Sequence, residues 1–297
     1  MARSGAVITA MVTPFADDGS LDAAAAADLA EWLVDQGNDG LVLAGTTGES
    51  PTLTDDEKLE LWRSVRAAVD VPLIAGSTSN DTQHSVELTE AAADVGMDGI
   101  LAVTPYYNRP SQAGLEAHFR AIAEASSLPV ILYDIPIRTG RKIDTATILR
   151  LAEDVPTIAG VKDAAGDPAE TARLIAAAPE DFELYSGDDA LALPFLAVGA
   201  VGVISVAAHW AAGLVRNLVD AVLKGDMETA QAVNERLLTS YAFQASDLAP
   251  NPVPAKAMLR VLGHAVGECR LPMGPTPEGL EGVAREIAAD LDLLAEG

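Results

Sequence analysis

The chain has 297 residues, 49% of them hydrophobic, a formal net charge of −25 and a single cysteine, Cys269. That is apolar matter enough for one large domain, and the length fits the roughly 250 residues of an eight-strand, eight-helix barrel with helices to spare. The charge excludes a nucleic-acid partner, since phosphates need a basic surface; no apolar run reaches the ~18 residues of a membrane span; and one cysteine leaves no intrachain disulfide and no cysteine-based metal site.

Short runs rich in Val, Ile and Leu alternate with amphipathic segments. Ala6–Val12 is predicted as the first strand and Asp22–Gln36 as the first helix. The second strand, Gly40–Leu43, leads to a helix over Asp55–Val69. That helix opens on Thr54-Asp55-Asp56-Glu57, a capping box with acids in the first turn. Pro72–Ala75 is followed by Thr82–Val95, Gly99–Val103 by Ser111–Ser126, and Val130–Tyr133 by Asp144–Glu153. Ile158–Lys162 precedes Pro168–Ala177, where Asp167-Pro168 puts proline at the first helical position. Glu183–Ser186 with Asp189–Val198, then Val201–Val206, complete eight strands. After Trp210 the pattern is purely helical: Ala211–Lys224, Met227–Phe243, Pro252–Leu262 and Gly279–Leu294.

Strands that are apolar throughout are buried on both faces. Strands alternating with helices make a parallel sheet with right-handed crossovers. The prediction is an α/β fold: a (β/α)8 TIM barrel over residues 1–210, with additional C-terminal helices over 211–297 packed on it. An open dinucleotide-binding sheet would want Gly-x-Gly-x-x-Gly after the first strand, and Thr13-Pro14-Phe15-Ala16 stands there instead. The first residues lack the ordered segments of a secretory leader, so the expected location is the cytoplasm.

Barrel chemistry collects at the C-terminal ends of strands. Gly45-Thr46-Thr47-Gly48-Glu49-Ser50 follows the second strand and offers hydroxyls and free backbone N–H groups to a carboxylate, or is an ordinary glycine turn. Thr104-Pro105-Tyr106-Tyr107-Asn108 follows the fourth, and an interface plug or aromatic packing is the favoured reading of Tyr106. Tyr133 closes the fifth, with Arg138 five residues on, suited to a carboxylate or to a surface ion pair. Lys162 ends the apolar sixth strand. A buried lysine loses its charge readily, and a neutral amine attacks carbonyls; the other reading is a lysine that reaches solvent or pairs with Asp163. Ser186-Gly187 and Ile204-Ser205 supply small pocket-lining groups. Nothing calls for a cofactor, and His84, His118, His209 and His264 are too scattered to suggest a metal.

Gly45-Thr46-Thr47-Gly48-Glu49, Thr104-Pro105-Tyr106-Tyr107 and Gly160-Val161-Lys162-Asp163 together resemble the pyruvate-dependent class I aldolases, the family of dihydrodipicolinate synthase and N-acetylneuraminate lyase. The similarity runs from Thr13-Pro14-Phe15 to Asn251-Pro252-Val253-Pro254-Ala255-Lys256. It implies that Lys162 forms an imine with pyruvate and that Tyr133 moves protons, relayed through Thr46 to Tyr107 of a neighbouring subunit. It implies that Thr47, Gly48 and nearby backbone bind the pyruvate carboxylate, and that Gly187 and Ile204 line the pocket. Arg138, placed after Tyr133-Asp134-Ile135-Pro136, points to the synthase branch and an L-aspartate 4-semialdehyde substrate. A sugar-acid aldolase or dehydratase is the alternative. A homo-oligomer, a dimer of dimers, is implied as well. Asp134 stands where Asn is common. Lysine-inhibited members carry an acid at the place of His84 and often histidines at those of Asp55 and Lys58, so weak or absent lysine inhibition is expected even though Ser50, Asn80 and Tyr106 match that cleft.

Overall fold

The computed structural model describes residues 4–246 and 248–294. Residues 1–3, 247 and 295–297, which the expected division at 210 includes, lie outside the described residues. Eight strands, β1 (Val7–Ala10), β2 (Gly40–Leu43), β3 (Leu73–Ala75), β4 (Gly99–Val103), β5 (Val130–Asp134), β6 (Ile158–Asp163), β7 (Glu183–Ser186) and β8 (Gly202–Ser205), pair in chain order. All pairs are parallel, and β8 returns to β1 to close the barrel. Between strands lie α1 (Ala23–Asp35), α2 (Asp55–Ala68), α3 (Thr82–Val95), α4 (Gln112–Glu124), α5 (Pro136–Thr139), α6 (Thr145–Asp154), α7 (Pro168–Ala177) and α8 (Ala192–Ala197). After β8 come α9 (Ala208–Leu223), α10 (Met227–Gln244), α11 (Val253–Val261) and α12 (Leu280–Asp290).

The continuous apolar runs have a simple cause. Successive strand residues point to opposite faces, and here both faces are buried. Val130 and Leu132 of β5 join the core between barrel and helices, while Ile131 and Tyr133 point into the barrel interior with Ile8, Val42, Ile74, Leu101 and Ile204. Side chains fill that interior, so chemistry is confined to its mouth. The capping box at Thr54 forms in both directions, with Glu57 N–H donating to Thr54 Oγ1 (3.2 Å) and Thr54 N–H to Glu57 Oε2 (2.9 Å). Asp167 accepts from the N–H groups of Ala169 and Glu170 ahead of α7.

Several elements depart from the sequence pattern. The helix expected over Asp189–Val198 is a 3-10 turn, Asp189–Leu191, followed by the short α8. Asp188 draws the first N–H groups into that tight turn by accepting from Ala190. Helix α9 starts at Ala208, ahead of Trp210, and kinks at Ala211 (φ −121°, ψ 28°), the point where the barrel was expected to end. Helix α12 stops at Asp290 rather than Leu294, and Asp292 nearby takes a left-handed φ of 58°. The one-turn α5 and the 3-10 turn Ser50–Thr52 are too short to show any periodicity.

Helices α10, α11 and α12 contribute Leu237, Tyr241, Ala255, Met258 and Ile287 to the core that surrounds the barrel. Helix α11 and the chain on either side of it set Lys256, Asn251 and Arg270 against the turn after β2.

Candidate active site

Lys162 sits near the end of β6, level with Tyr133 of β5 and Tyr185 of β7. Its residue is 4% exposed, and its Nζ lies 4.3 Å from the centroid of the Tyr133 ring. Burial pushes the amine down to about 8; the Asp189 carboxylate opposes that shift and the Arg138 guanidinium adds to it. The alternative pairing with Asp163 does not form. The Asp163 carboxylate accepts instead from Thr171 Oγ1 (2.6 Å) and the Ala165 N–H (2.9 Å).

Tyr133 is buried, which raises its phenol to about 12; Arg138 and a hydrogen bond with the Thr46 side chain pull the other way. The phenol is therefore protonated at neutral pH. Thr46 lies in a tight turn closed by Glu49 N–H on the Thr46 carbonyl and Ser50 N–H on that of Gly45, both 3.1 Å. The backbone is bent sharply here, with Ala44 at φ 53° and Glu49 at φ 57°. Gly76 makes the bend possible, because a Cβ there would lie 2.2 Å from the Ala44 carbonyl oxygen. Thr47 is buried and accepts from Asn251 Nδ2 (2.8 Å), and the Thr13 hydroxyl donates to the Gly48 carbonyl (2.7 Å).

A cavity of about 220 Å³ opens beside this cluster, walled by Thr46, Leu101, Val103, Tyr106, Tyr133 and Arg138. That is below the ~300–1,000 Å³ of drug-sized sites and suits a small acid. Of the residues singled out from sequence, Thr46, Tyr133 and Arg138 line it directly. Lys162 is not among its walls, and its Nζ stands over the face of the Tyr133 ring, which is. Thr47 and Gly48 stand in the turn behind Thr46, and Ile204 is in the barrel interior beneath. Gly187 leaves room for the lysine: a Cβ there would come 2.9 Å from Lys162 Cγ. Arg138 is exposed and donates to the Asn251 carbonyl (3.1 Å), so its partner is a carbonyl rather than the surface acid considered above.

The two neighbouring tyrosines stand in different surroundings. Tyr106 walls the cavity, while Tyr107 is 90% exposed at φ 70° and is not among the cavity's walls. Asp134 is buried and paired with Lys142 (3.2 Å); burial raises its carboxyl to about 6, and Lys142 opposes the rise. His209 is buried, held at about 4 by desolvation, and packs between Val12 N–H and the Val206 carbonyl. Among the described residues no group of three or more His, Cys, Asp or Glu is placed to hold a metal ion.

Three residues were given no role of their own in the sequence reading. Asp189, buried, accepts from the N–H groups of Val206 and Ala207 (both 2.9 Å) and from Gln244 Nε2 (2.7 Å), which fixes a negative charge near Lys162. Asn251 touches both Thr47 and Arg138. Lys256 forms a buried ion pair with Glu49 at 2.8 Å. The paired acids after β7 and the scarcity of lysine were the available signals.

A sequence model of the Dihydrodipicolinate synthetase family matches residues 3–289. The 4-hydroxy-tetrahydrodipicolinate synthase of Moorella thermoacetica is 50% identical over 286 residues, 95% of this chain and 97% of that protein. The enzyme of the same name from Symbiobacterium thermophilum is 48% identical, over 99% of this chain and 100% of its own. A crystal structure of the synthase from Cyanidioschyzon merolae with lysine bound superposes with a TM-score of 0.96 at 42% identity, covering 99% of this chain and 100% of that one. With matches of this extent in sequence and in structure, the chain belongs to the dihydrodipicolinate synthetase family.

Proposed function

We propose that the chain is a 4-hydroxy-tetrahydrodipicolinate synthase, condensing pyruvate with L-aspartate 4-semialdehyde in the cytoplasmic synthesis of diaminopimelate and lysine. The observation that carries the reading is the buried Lys162–Tyr133–Thr46 cluster opening on a small cavity with Arg138 at its edge. The neutral Lys162 amine attacks the pyruvate C2 carbonyl, and the carbinolamine loses water to give the imine. A proton leaves C3 to form the enamine, which attacks the aldehyde carbon. The substrate amine then closes on the imine carbon and displaces Lys162. Tyr133 donates and recovers the protons through Thr46. The Thr47 hydroxyl accepts from Asn251 and keeps its own proton for the pyruvate carboxylate, with the Gly48 turn alongside. Gly187 and Ile204 shape the lysine's surroundings, and Arg138 receives the second carboxylate.

Tyr107 has no role in its own chain. On this reading it enters the cavity of a second copy, within a dimer of dimers. Arg138 disfavours a sugar-acid aldehyde, whose hydroxyls give a guanidinium no carboxylate to clasp at that position.

Borohydride reduction with pyruvate, followed by mass spectrometry, tests the mechanism. A reduced pyruvyl adduct on Lys162 is expected; a folded protein without one sinks it. Arg138→Met is expected to raise the KM for the semialdehyde ~10–100-fold, the worth of a charge-assisted pair, and to leave pyruvate half-saturation nearly unchanged. Equal effects on both substrates would remove Arg138 from the second subsite.

Feedback by lysine is expected to be weak or absent. His84 Nε2 lies 3.0 Å from Asp55, and Lys58 is buried beside that same acid. The Asp55 carboxylate is thus already engaged by His84 and Lys58 and is not left for the ammonium of a lysine ligand. Titrating turnover with L-lysine checks this, and half-inhibition at intracellular lysine levels would contradict it.

A further inference from the structure

The turn that carries Thr46 and Thr47 is held from behind by a charged cluster that never reaches the cavity. Glu49 ends the turn in a left-handed conformation (φ 57°, ψ 35°) that a non-glycine residue keeps only where its surroundings enforce it. Its side chain is 1% exposed and pairs at 2.8 Å with Lys256, whose side chain is 0% exposed. The Glu49 carboxylate also accepts from the Arg270 N–H at 2.8 Å. The Lys256 ammonium donates to the Glu268 carbonyl (3.0 Å) and lies 4.1 Å over the Phe15 ring. Arg270 covers the same ring at 4.2 Å and grips the Glu57 carboxylate.

Replacing a buried ion pair by apolar groups of similar volume is often neutral for stability, so stability gives no sufficient account of this one. Geometry does. The Glu49 N–H closes the turn on the Thr46 carbonyl, and Thr47 is two residues away. We propose that Glu49 and Lys256 are positioning residues: through them the segment from Lys256 to Arg270 sets where the Thr46 and Thr47 hydroxyls stand. The inference rests on the functional reading above, which gives those hydroxyls to the proton relay and the pyruvate carboxylate. Neither member of the pair lines the cavity, so any effect on pyruvate passes through the turn.

Single substitutions strand a buried charge and threaten the fold, so the test removes both charges in Glu49→Gln/Lys256→Met. The readout is the pyruvate concentration giving half-maximal borohydride trapping on Lys162. A rise of ~10–100-fold is expected, the effect of a misplacement near 1 Å. Lys256→Arg, which keeps the charge, is expected to raise it less. Arg260→Met is the comparison: it loosens the same segment at Gly267 and Glu268 without touching Glu49, and should leave half-saturation within twofold. An unchanged value in the folded double variant overturns the proposal, and so does an equal rise in Arg260→Met. Should the double variant not fold, amide exchange in the wild type decides. Fixing the pyruvyl adduct should slow exchange in 45–50 and 252–270 together, and slowing confined to 45–50 overturns the coupling. Absence of any adduct in the wild type fells the functional reading instead, which keeps the two failures apart.

Discussion

Lys162→Ala should cost turnover on the order of 10⁴-fold or more, as loss of a covalent nucleophile does, and should leave the barrel folded. The alanine keeps its place in β6 between Tyr133 and Tyr185, and no ion pair with Asp163 is broken because none exists. Trapping with pyruvate and borohydride should then give no adduct at any other residue. The same chemistry fixes a pH dependence. Only the neutral amine attacks, and burial holds Lys162 at about 8 against an ordinary 10.5. Adduct formation in the wild type is therefore expected to rise from pH 6, pass its midpoint near 8 and level off above. A midpoint near 10.5 would place the amine in water and contradict the buried site. Asp189→Asn supplies the opposite sign. Removing the charge that pulls the amine up should move the midpoint lower, so the variant becomes faster than wild type on the acid side unless the end of β8, which Asp189 holds, is disturbed.

Much of this site could be read before folding because a barrel converts sequence position into spatial position. Each strand end lands at one mouth, so Thr46, Tyr133 and Lys162 converge although they are far apart in the chain. The eight strands were legible because both faces are buried and the apolar runs are unbroken. Their ends shifted by a residue or two where the ladder, not hydrophobicity, sets the limit: Asp134 and Asp163 are paired in register but are not apolar. What stayed hidden depends on tertiary contact. Glu49 belongs to the Gly45–Glu49 motif, but the sequence gives it no partner; only the folded chain shows it against Lys256, more than two hundred positions later. The contacts of Asn251 and Asp189 were hidden for the same reason. That Tyr106 rather than Tyr107 walls the cavity was hidden too, because neighbouring residues in a loop share no periodicity that would say which one turns inward.

Tyr133→Phe is expected to lower kcat by 10²–10⁴-fold, the range for a general acid–base group, with little change in the pyruvate concentration needed for half-maximal trapping. The ring remains to pack against Lys162 Nζ at 4.3 Å and to fill the barrel interior. The lost hydroxyl bonds to Thr46, which is half-buried and can turn to water, so stability should fall by about 1 kcal/mol or less. With its phenol at about 12, Tyr133 is a reliable donor and a poor base at neutral pH. It can take a proton only by passing its own onward in the same motion, and Thr46 is the group within reach. Thr46→Val should therefore reproduce most of the loss of Tyr133→Phe, and the double variant should be hardly worse than either alone, because the two act as one unit. Fully additive losses would show that the hydroxyls act separately. A kcat within tenfold of the wild type in Tyr133→Phe would take the phenol out of the reaction and leave proton transfer to water in the cavity.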